Sequence, residues 1–421
     1  MEAGIKELGI RNYPELRNAN SLALLSFPRK RESRNSAKIQ PGSPPEFTPH
    51  LMRGGDDKIN MEKKEIKIIG AGLSGLTAGI NLAKAGYKVK IFEKNDTVGK
   101  RFHGDYQGIE NWVYNQDALE CIQQLNIEIS FPYYSVRQVK IIGPQGKIYS
   151  IQFQKNVFYL VRRGIAQDTL DHNLYEQAKL SGVEVIFNAP QDYRQFGDII
   201  AQGFIPDRVT DALVPGYTFK TKSPDQYWVI VDDAIAPDGY GYCFIVNGLA
   251  TLAICIYSDF SKSKENLERA YDVFQKNIHF EANDKIFFCG TSNGFLMKNA
   301  VFDNRLYVGE AAGFIDCLWG FGMKYAMISG YLAAQSIIKN QNYNYLWKKE
   351  IGSQFKASFV NHWYYKMLGK RSYQWILDKM RKSADPAVSL NKMCNYSIVQ
   401  KLGFPLAFCF LRKKAKDRRK L

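Results

Sequence analysis

An α/β fold with an inserted antiparallel sheet and a helical carboxy-terminal region is predicted by three patterns in the chain. The first is a strand–helix–strand unit, with an apolar strand at Ile66–Ile69, helical spacing of apolar residues over 73–85, and a second strand at 88–92. The second is a group of β-rich runs over 227–258. The third is the return of helical spacing after Gly322. Strand-rich sequence inserted into a chain of alternating strands and helices is typical of an α/β protein with a separate second sheet.

The size and composition indicate a globular protein of two or three lobes. The chain has 421 residues, of which 45% are hydrophobic, so its core can exceed that of one minimal domain. Its seven cysteines include no CxxC pair, and its five histidines are equally dispersed. This pattern argues against a zinc site and a disulfide framework and suits a reducing cytoplasm. We therefore predict a cytoplasmic protein without a metal site.

The net charge of +16 is concentrated at the carboxy-terminal end. Within the last ten residues Asp417 is the one acid. The bases there are Arg412, Lys413, Lys414, Lys416, Arg418, Arg419 and Lys420. No comparable basic stripe with interleaved aromatic residues runs through the body of the sequence, so we expect no nucleic-acid partner.

An apolar segment, residues 398–411, precedes this basic run. Gln400, Lys401, Gly403 and Pro405 interrupt it, so it falls short of the ~20 apolar residues that span a bilayer. An apolar segment followed by bases favours peripheral attachment to the inner face of an anionic cell membrane. A tail that docks on the protein itself is the alternative.

Residues 1–60 are predicted to be a disordered or artefactual leader. They are rich in Pro, Ser, Asn and Arg and show no sustained apolar period. The run 26–34 resembles a translated short bacterial intergenic repeat, which would place the start of the protein at Met61. A targeting segment is the alternative, although the apolar stretch 21–27 is too short for a secretory core.

A glycine-rich segment, Gly70-Ala71-Gly72-Leu73-Ser74-Gly75, directly follows the first predicted strand and opens the predicted helix. Gly70 permits a tight turn, Gly72 lets a pyrophosphate approach the backbone, and Gly75 lets helix and strand pack closely. The helix start adds unpaired N–H groups and a partial positive charge. Glu93 ends the second strand, where its carboxylate can accept hydrogen bonds from ribose hydroxyls and disfavours a 2′-phosphate. Together these residues predict a Rossmann-like site for FAD or NAD.

A second motif distinguishes FAD from NAD. Residues 305–316 show the order strand, acid, small residues and turn, and Gly320-Phe321-Gly322-Met323 then opens a helix. This motif resembles the second flavin motif of the geranylgeranyl reductase family, whose members bind FAD. The resemblance implies that Glu310 bonds the ribityl chain and that Gly322 and Met323 lie against the isoalloxazine ring. A helix start aimed at the N1/O2 edge would stabilise the anionic reduced flavin.

The resemblance extends over residues 64–340 and includes two further segments. Residues 159–163 are similar to the family's cofactor-contacting arginine segment, which makes Arg163 a candidate; a solvated basic pair before a helix is the alternative. Residues 237–244 are similar to the family's substrate-sheet motif. Tyr240 and Tyr242 are therefore either part of the cavity wall or ordinary half-buried strand aromatics.

The chain also departs from the family pattern. Glu310 stands where the family usually has aspartate, and it remains an acceptor. Residues 102–105 replace a cysteine–glycine pair that several members carry beside the flavin, which puts any mechanism needing that cysteine in doubt. His103 is a candidate proton donor, against the alternative of a structural hydrogen-bonding residue. Trp319 and Phe321 replace smaller or acidic residues, so we expect a narrower or more aromatic pocket.

The resemblance implies a prokaryotic FAD-dependent oxidoreductase that reduces carbon–carbon double bonds of an isoprenoid or other lipid-like substrate. A flavin-dependent aromatic monooxygenase and an electron-transfer flavoprotein without substrate reduction of its own are the alternatives. A single dinucleotide fingerprint is visible, so the external electron donor, NAD(P)H or ferredoxin, stays open. The predicted cofactor-binding residues are Gly70, Gly72, Ser74, Gly75, Glu93, Lys94, His103, Gly104, Arg163, Glu310, Gly313, Gly322 and Met323. The predicted substrate-pocket residues are Tyr240, Tyr242, Trp319 and Phe321.

These assignments divide the chain into parts. The predicted ranges are a leader at 1–60, an FAD-binding domain within 61–340 formed by 65–155, 156–225 and 285–340, a substrate-sheet insertion at 226–284, a helical cap at 341–395 and an apolar-basic tail at 396–421.

Overall fold

The computed structural model describes residues 65–190, 196–203, 211–292 and 298–418, and the predicted leader, residues 1–60, lies outside them. The described part begins with strand β1 (Ile66–Ile69), helix α1 (Leu73–Lys84) and strand β2 (Val89–Phe92). The two strands pair in parallel. Their side chains are almost continuously apolar and buried, as expected for strands with both faces covered.

A six-stranded sheet is built around this unit. Its other strands are β8 (Glu184–Ile186), β9 (Ile199–Ile200), β15 (Val301–Phe302) and β16 (Arg305–Tyr307). The order is β15-β16-β9-β1-β2-β8, and every pair except β15 with β16 is parallel. The carboxyl ends of β1, β9 and β16 therefore meet at one edge of the sheet. This topology brings the second predicted motif beside the glycine-rich turn, although more than half of the described chain separates them.

A seven-stranded sheet forms a second layer. Its strands are β5 (Gln138–Ile142), β6 (Ile148–Gln152), β10 (Ala212–Lys220), β11 (Gln226–Ile230), β12 (Tyr240–Val246), β13 (Leu249–Cys255) and β14 (Asn283–Ser292). The order is β14-β10-β13-β12-β11-β5-β6, antiparallel except where β11 pairs with β5. The β12–β13 hairpin turns at Asn247 and Gly248, which both have positive φ, the conformation of a tight type I′ turn.

This second sheet is wider than the predicted insertion at 226–284. The hairpin β5–β6 joins its edge from an earlier part of the chain, and β10 and most of β14 lie on either side of the predicted range. Burial alternates along β6: Tyr149 and Ile151 face the core, whereas Ile148, Ser150 and Gln152 are exposed. Helix α4 (Ser263–Ile278) packs Leu267 and Phe274 against the apolar side of β10 and β13.

The remaining elements are a small third sheet, two helices from the first half of the chain and the carboxy-terminal helices. Strands β3 (Tyr106–Glu110), β4 (Tyr134–Val136) and β7 (Phe158–Arg162) form an antiparallel sheet in the order β3-β7-β4. Helices α2 (Ala118–Gln123) and α3 (Leu170–Leu180) belong to the first half of the chain. The predicted helical region consists of α5 (Met323–Ile338), α6 (Tyr343–Glu350), α7 (Gly352–Leu368), α8 (Lys370–Lys382), α9 (Pro386–Cys394) and α10 (Ile398–Arg418).

None of the helices in the described ranges is both long and apolar enough to cross a bilayer.

Candidate functional site

The turn between β1 and α1 leaves open space at the start of the helix. Gly72 caps α1 without a side-chain hydrogen bond, and a Cβ atom added there would meet nothing within 4 Å. The neighbouring glycines differ, because a Cβ at Gly70 would lie 2.5 Å from the Ala201 oxygen and one at Gly75 would lie 2.0 Å from the Gly70 oxygen. Close packing thus fixes the turn on both sides of an uncapped helix start, which is the arrangement that binds phosphate.

Glu93 follows β2, and its side chain is hydrogen-bonded to this turn. Its buried carboxylate accepts hydrogen bonds from the backbone N of Ala71 at 2.9 Å and from the backbone N and side-chain amide of Asn95 at 3.0 and 2.7 Å. A carboxylate has about four acceptor positions, so roughly one is left for a ribose hydroxyl. Lys94, the next residue, is exposed to solvent.

The second motif presents Glu310 in a short 3₁₀ turn, Gly309–Ala312, directly after β16. Its carboxylate forms an ion pair with Arg101, whose guanidinium also donates to the Thr291 carbonyl. The pair lies beside Gly203, since a Cβ there would be 3.6 Å from Arg101 Nη1 and 3.9 Å from Glu310 Oε2. Sequence reasoning missed Arg101, because its partner is 209 residues away and no local pattern marks the pairing.

Close contact between α1 and α5 locks the two motifs together. Ser74 of α1 is buried, and a Cβ at Gly330 of α5 would lie 2.2 Å from its backbone oxygen. A Cβ at Gly309 would lie 2.7 Å from Ser74 Oγ. Helix α5 begins after Gly322 without a side-chain cap, and Met323, its first residue, is buried. Two uncapped helix starts are thus carried by elements that pack directly on each other.

Gly313 closes the 3₁₀ turn that precedes α5. It has a φ of 70° and is buried. A side chain would be strained in this left-handed conformation, so glycine is required by the backbone itself.

Arg163 is a buried residue, and the alternative of a solvated basic pair is wrong for it. Its Nε and Nη2 atoms each lie 2.8 Å from an oxygen of Asp171, and its guanidinium stacks on the Phe102 ring at 3.9 Å. It therefore anchors the segment that carries Phe102 and His103. Its neighbour Arg162 forms an ion pair with the more exposed Asp168.

His103 and Gly104 lie on the segment that Arg163 anchors. His103 is exposed, and its ring stacks on Phe288 with centroids 5.8 Å apart. Gly104 has a φ of 80° and donates its backbone N–H to the Arg163 carbonyl at 3.0 Å. The segment is thus fastened by backbone and side-chain contacts, while the imidazole remains open to solvent.

The predicted substrate residues lie in one aromatic region. The Tyr240 hydroxyl donates to the Trp319 carbonyl, and the rings of Tyr240 and Tyr242 are 6.2 Å apart. Burial raises the pKa values of both phenols above their usual range, so both stay neutral hydrogen-bond donors. Phe321 meets Trp112 edge to face at 5.1 Å.

Two adjoining cavities lie in this region. The first is lined by Glu110, Trp112, Val113, Asp316, Trp319, Phe321, Tyr325 and Cys394. The second shares four of these residues with the first and reaches Ser358 and Asn361 on α7. Trp319 and Phe321 therefore line the first cavity, whereas Tyr240 packs against Trp319 and Tyr242 packs against Tyr240. Contact of these residues with a substrate stays a prediction. Sequence reasoning missed the two acids in the wall, Glu110 and Asp316.

Comparison with known proteins relates this geometry to flavoproteins. Residues 68–110 match the NAD(P)-binding Rossmann-like domain family. The digeranylgeranylglycerophospholipid reductase of Methanococcus vannielii is 22% identical over 373 residues, which cover 78% of this chain and 90% of that protein. The crystal structure of a geranylgeranyl bacteriochlorophyll reductase-like protein from Thermoplasma acidophilum superimposes with a TM-score of 0.61 at 18% identity, over 84% of this chain and 99% of that chain. The chain has the fold of the geranylgeranyl reductase-like flavoproteins.

Other similarities are shorter or more distant. The thiamine thiazole synthase of Pyrococcus furiosus is 34% identical over 88 residues, and the alignment covers 20% of this chain and 35% of that enzyme. The flavin-dependent brominase Bmp2 superimposes with a TM-score of 0.53 at 16% identity, over 85% of this chain and 100% of that chain. The comparisons confirm the predicted resemblance and the α/β fold, and the similar solved structures include flavin-dependent enzymes. The contacts of individual residues with FAD, the substrate and the activity stay proposals.

Proposed function

We propose that this protein uses FAD to reduce carbon–carbon double bonds of an isoprenoid or other lipid-like substrate. The aromatic cavity carries the proposal, because Phe321 in its wall directly precedes the start of α5, where the resemblance places the flavin ring. Most of the side chains that line it are apolar or aromatic, and it adjoins the second cavity, a lining that suits an apolar substrate. The similarity to a digeranylgeranylglycerophospholipid reductase, over 78% of this chain and 90% of that protein, supports the same substrate class.

The residues present fit FAD at both of its ends. The open, uncapped start of α1 at Gly72 would hold the diphosphate, and the remaining acceptor position of Glu93 would hold a ribose hydroxyl. Glu310 and the start of α5 would face the ribityl chain and the ring. Bound FAD supplies hydride chemistry. The protein itself positions the substrate and excludes water through the aromatic wall.

Anaerobic turnover tests the proposal. The full chain would be loaded with FAD, reduced with dithionite so that the natural donor is not needed, and mixed with a geranylgeranyl lipid without oxygen. We expect mass spectrometry to show a gain of two hydrogens for each double bond reduced. Product that forms only with oxygen would instead indicate a monooxygenase, and bound FAD without any lipid product would indicate an electron-transfer protein.

The carboxy-terminal helix α10 has two distinct faces. Gly403 and Ala407 are buried against α7, where a Cβ at Gly403 would lie 2.5 Å from the Tyr364 hydroxyl. The opposite face exposes the apolar side chains of Ile398, Val399, Leu402, Leu406 and Phe408. The segment therefore docks on the protein and still offers an apolar surface next to the basic end of the sequence. We propose that this exposed face binds an anionic membrane surface.

Replacing both Leu402 and Leu406 with glutamate is expected to weaken binding to anionic vesicles by roughly tenfold for each site, because each leucine contributes about 1.4 kcal/mol at the interface. Both side chains are more than half exposed, so the fold should tolerate the change. Vesicle sedimentation measures the effect, and Ile148→Glu, at an exposed position of β6, is the matched control. Equal binding by the double variant and the wild-type protein would contradict membrane attachment through α10.

A further inference from the structure

A buried carboxyl group without a hydrogen-bond partner lies in the wall of the first cavity. Glu110, the last residue of β3, is 1% exposed, and neither of its carboxyl oxygens has a hydrogen-bond partner among the described residues. Lys324, in the first turn of α5, is equally buried. Its ammonium donates to the Glu110 backbone carbonyl at 2.9 Å and lies 3.4 Å from Glu110 Oε1.

A second acid, Asp316, lies near Glu110. Asp316 also lines the cavity, and its carboxylate accepts hydrogen bonds from the backbone N of Leu318 at 2.9 Å and of Trp319 at 2.5 Å. Such bonds favour an ionised carboxylate, whereas Glu110 receives none. Lys324 can compensate one negative charge, so two ionised acids would leave an uncompensated charge in an apolar cavity. The proton is therefore best placed on Glu110.

The phenols and the thiol around Glu110 stay neutral. The Lys324 ammonium lies 4.9 Å above the Tyr114 ring, and burial raises the pKa values of the Tyr114 and Tyr325 phenols. Burial also raises the pKa of Cys394 to about 12. For Glu110, burial raises the pKa, Lys324 opposes this, and Asp316 adds to it. Burial raises the pKa of Asp316 as well, but hydrogen bonds from the Trp319 and Leu318 backbone and from Ser358 oppose this. The choice between the two acids therefore rests on their hydrogen bonds.

We propose that Glu110 is the proton donor of this site. The inference rests on the proposed double-bond reduction and names the residue that completes it. One carbon accepts the hydride equivalent from the reduced cofactor, and the π electron pair forms the second C–H bond as the Glu110 O–H bond breaks. The resulting carboxylate is stabilised by Lys324 and regains its proton from solvent. His103, the candidate from the sequence, is exposed and does not line either cavity.

Infrared spectroscopy tests the protonation directly on the full chain with FAD bound. We expect the C=O band of a neutral carboxyl group at pH 7, shifted in D2O and absent in Glu110→Gln. The matched control is Glu268→Gln on α4, whose carboxylate is bonded by the Tyr217 hydroxyl outside the cavities. If the band is lost in the control but persists in Glu110→Gln, or if the wild-type protein shows no band, Glu110 is the ionised half of a structural ion pair. Either result would overturn the inference.

Kinetics then test the donor role. Glu110→Gln is expected to slow anaerobic lipid reduction by about 10²- to 10⁴-fold while FAD binding and reoxidation of the cofactor by ferricyanide are unchanged. Wild-type turnover should fall as the pH rises through the Glu110 pKa, and the residual turnover of the variant should not. If Glu110→Gln is too unstable to assay, the double variant with Lys324→Met, which also removes the buried ammonium beside it, should remain slow. Undiminished turnover would overturn the donor role, whereas failure of the wild-type protein to reduce any lipid would contradict the proposed function instead.

Discussion

Alanine in place of Gly72 is expected to lower the affinity for FAD by about tenfold to a hundredfold without lowering the free energy of unfolding of the apoprotein. A Cβ at this position meets no protein atom within 4 Å, and its φ of −81° is open to any residue, so the fold has no reason to change. The methyl group would, however, occupy the space through which a phosphate approaches the uncapped helix. Loss of a charge-assisted hydrogen bond there costs about 1.5–3 kcal/mol.

Two other glycines provide the controls for this experiment. Gly75→Ala should destabilise the protein itself, because its Cβ would lie 2.0 Å from the Gly70 oxygen. Gly352→Ala, at the start of α7, should change neither property, since its nearest contact would be 3.7 Å away. Quenching of FAD fluorescence by the apoprotein measures the affinity, and urea unfolding measures the stability. Wild-type affinity in Gly72→Ala would contradict diphosphate binding at this turn.

Replacement of Asp171 with asparagine is expected to lower the free energy of unfolding by about 3–5 kcal/mol, because it leaves the Arg163 guanidinium buried without a counter-charge. The side chains of Arg163 and Asp171 are 7% and 4% exposed, so water cannot replace the lost partner. The carboxylate also accepts the Gly164 N–H at 3.0 Å.

The neighbouring ion pair is a matched control for this substitution. Asp168 pairs with Arg162, but its side chain is 48% exposed, so Asp168→Asn should cost less than about 1 kcal/mol. The double replacement Arg163→Met with Asp171→Leu should recover much of the stability, since it removes both buried charges. Urea unfolding compares the four proteins. A similar small loss in Asp171→Asn and Asp168→Asn would contradict the view of Arg163 as a buried anchor.

The sequence predicted those parts of the fold that depend on neighbouring residues. The first strand, the glycine turn and the helix start at Leu73 follow from local periodicity and from glycine sterics over a few residues. The second motif was recognisable because a strand, an acid and a helix start follow each other within about twenty residues. The place where the two motifs meet depends on sheet order, which the parallel pairing of β9 with both β1 and β16 determines.

Contacts between distant parts of the chain could not be predicted in this way. Glu110 and Lys324 are 214 residues apart, and nothing in either segment indicates that both side chains are buried. For the same reason the predicted insertion omitted β5 and β6, whose pairing with β11 is not encoded in either segment alone. The burial of Arg163 could not be predicted either, because it depends on the pairing with Asp171 of α3 and on the stacking against Phe102.

A titration of the apoprotein with flavins tests most directly whether two distant segments bind a single cofactor. The full chain should become yellow and saturate with one FAD per chain, and FMN, which lacks the adenosine half, should bind much more weakly. Such a difference would show that the turn at Gly72 and the carboxylate of Glu93 contribute to binding along with the start of α5. A protein that stays colourless with added FAD, or that binds FMN as tightly as FAD, would contradict this account.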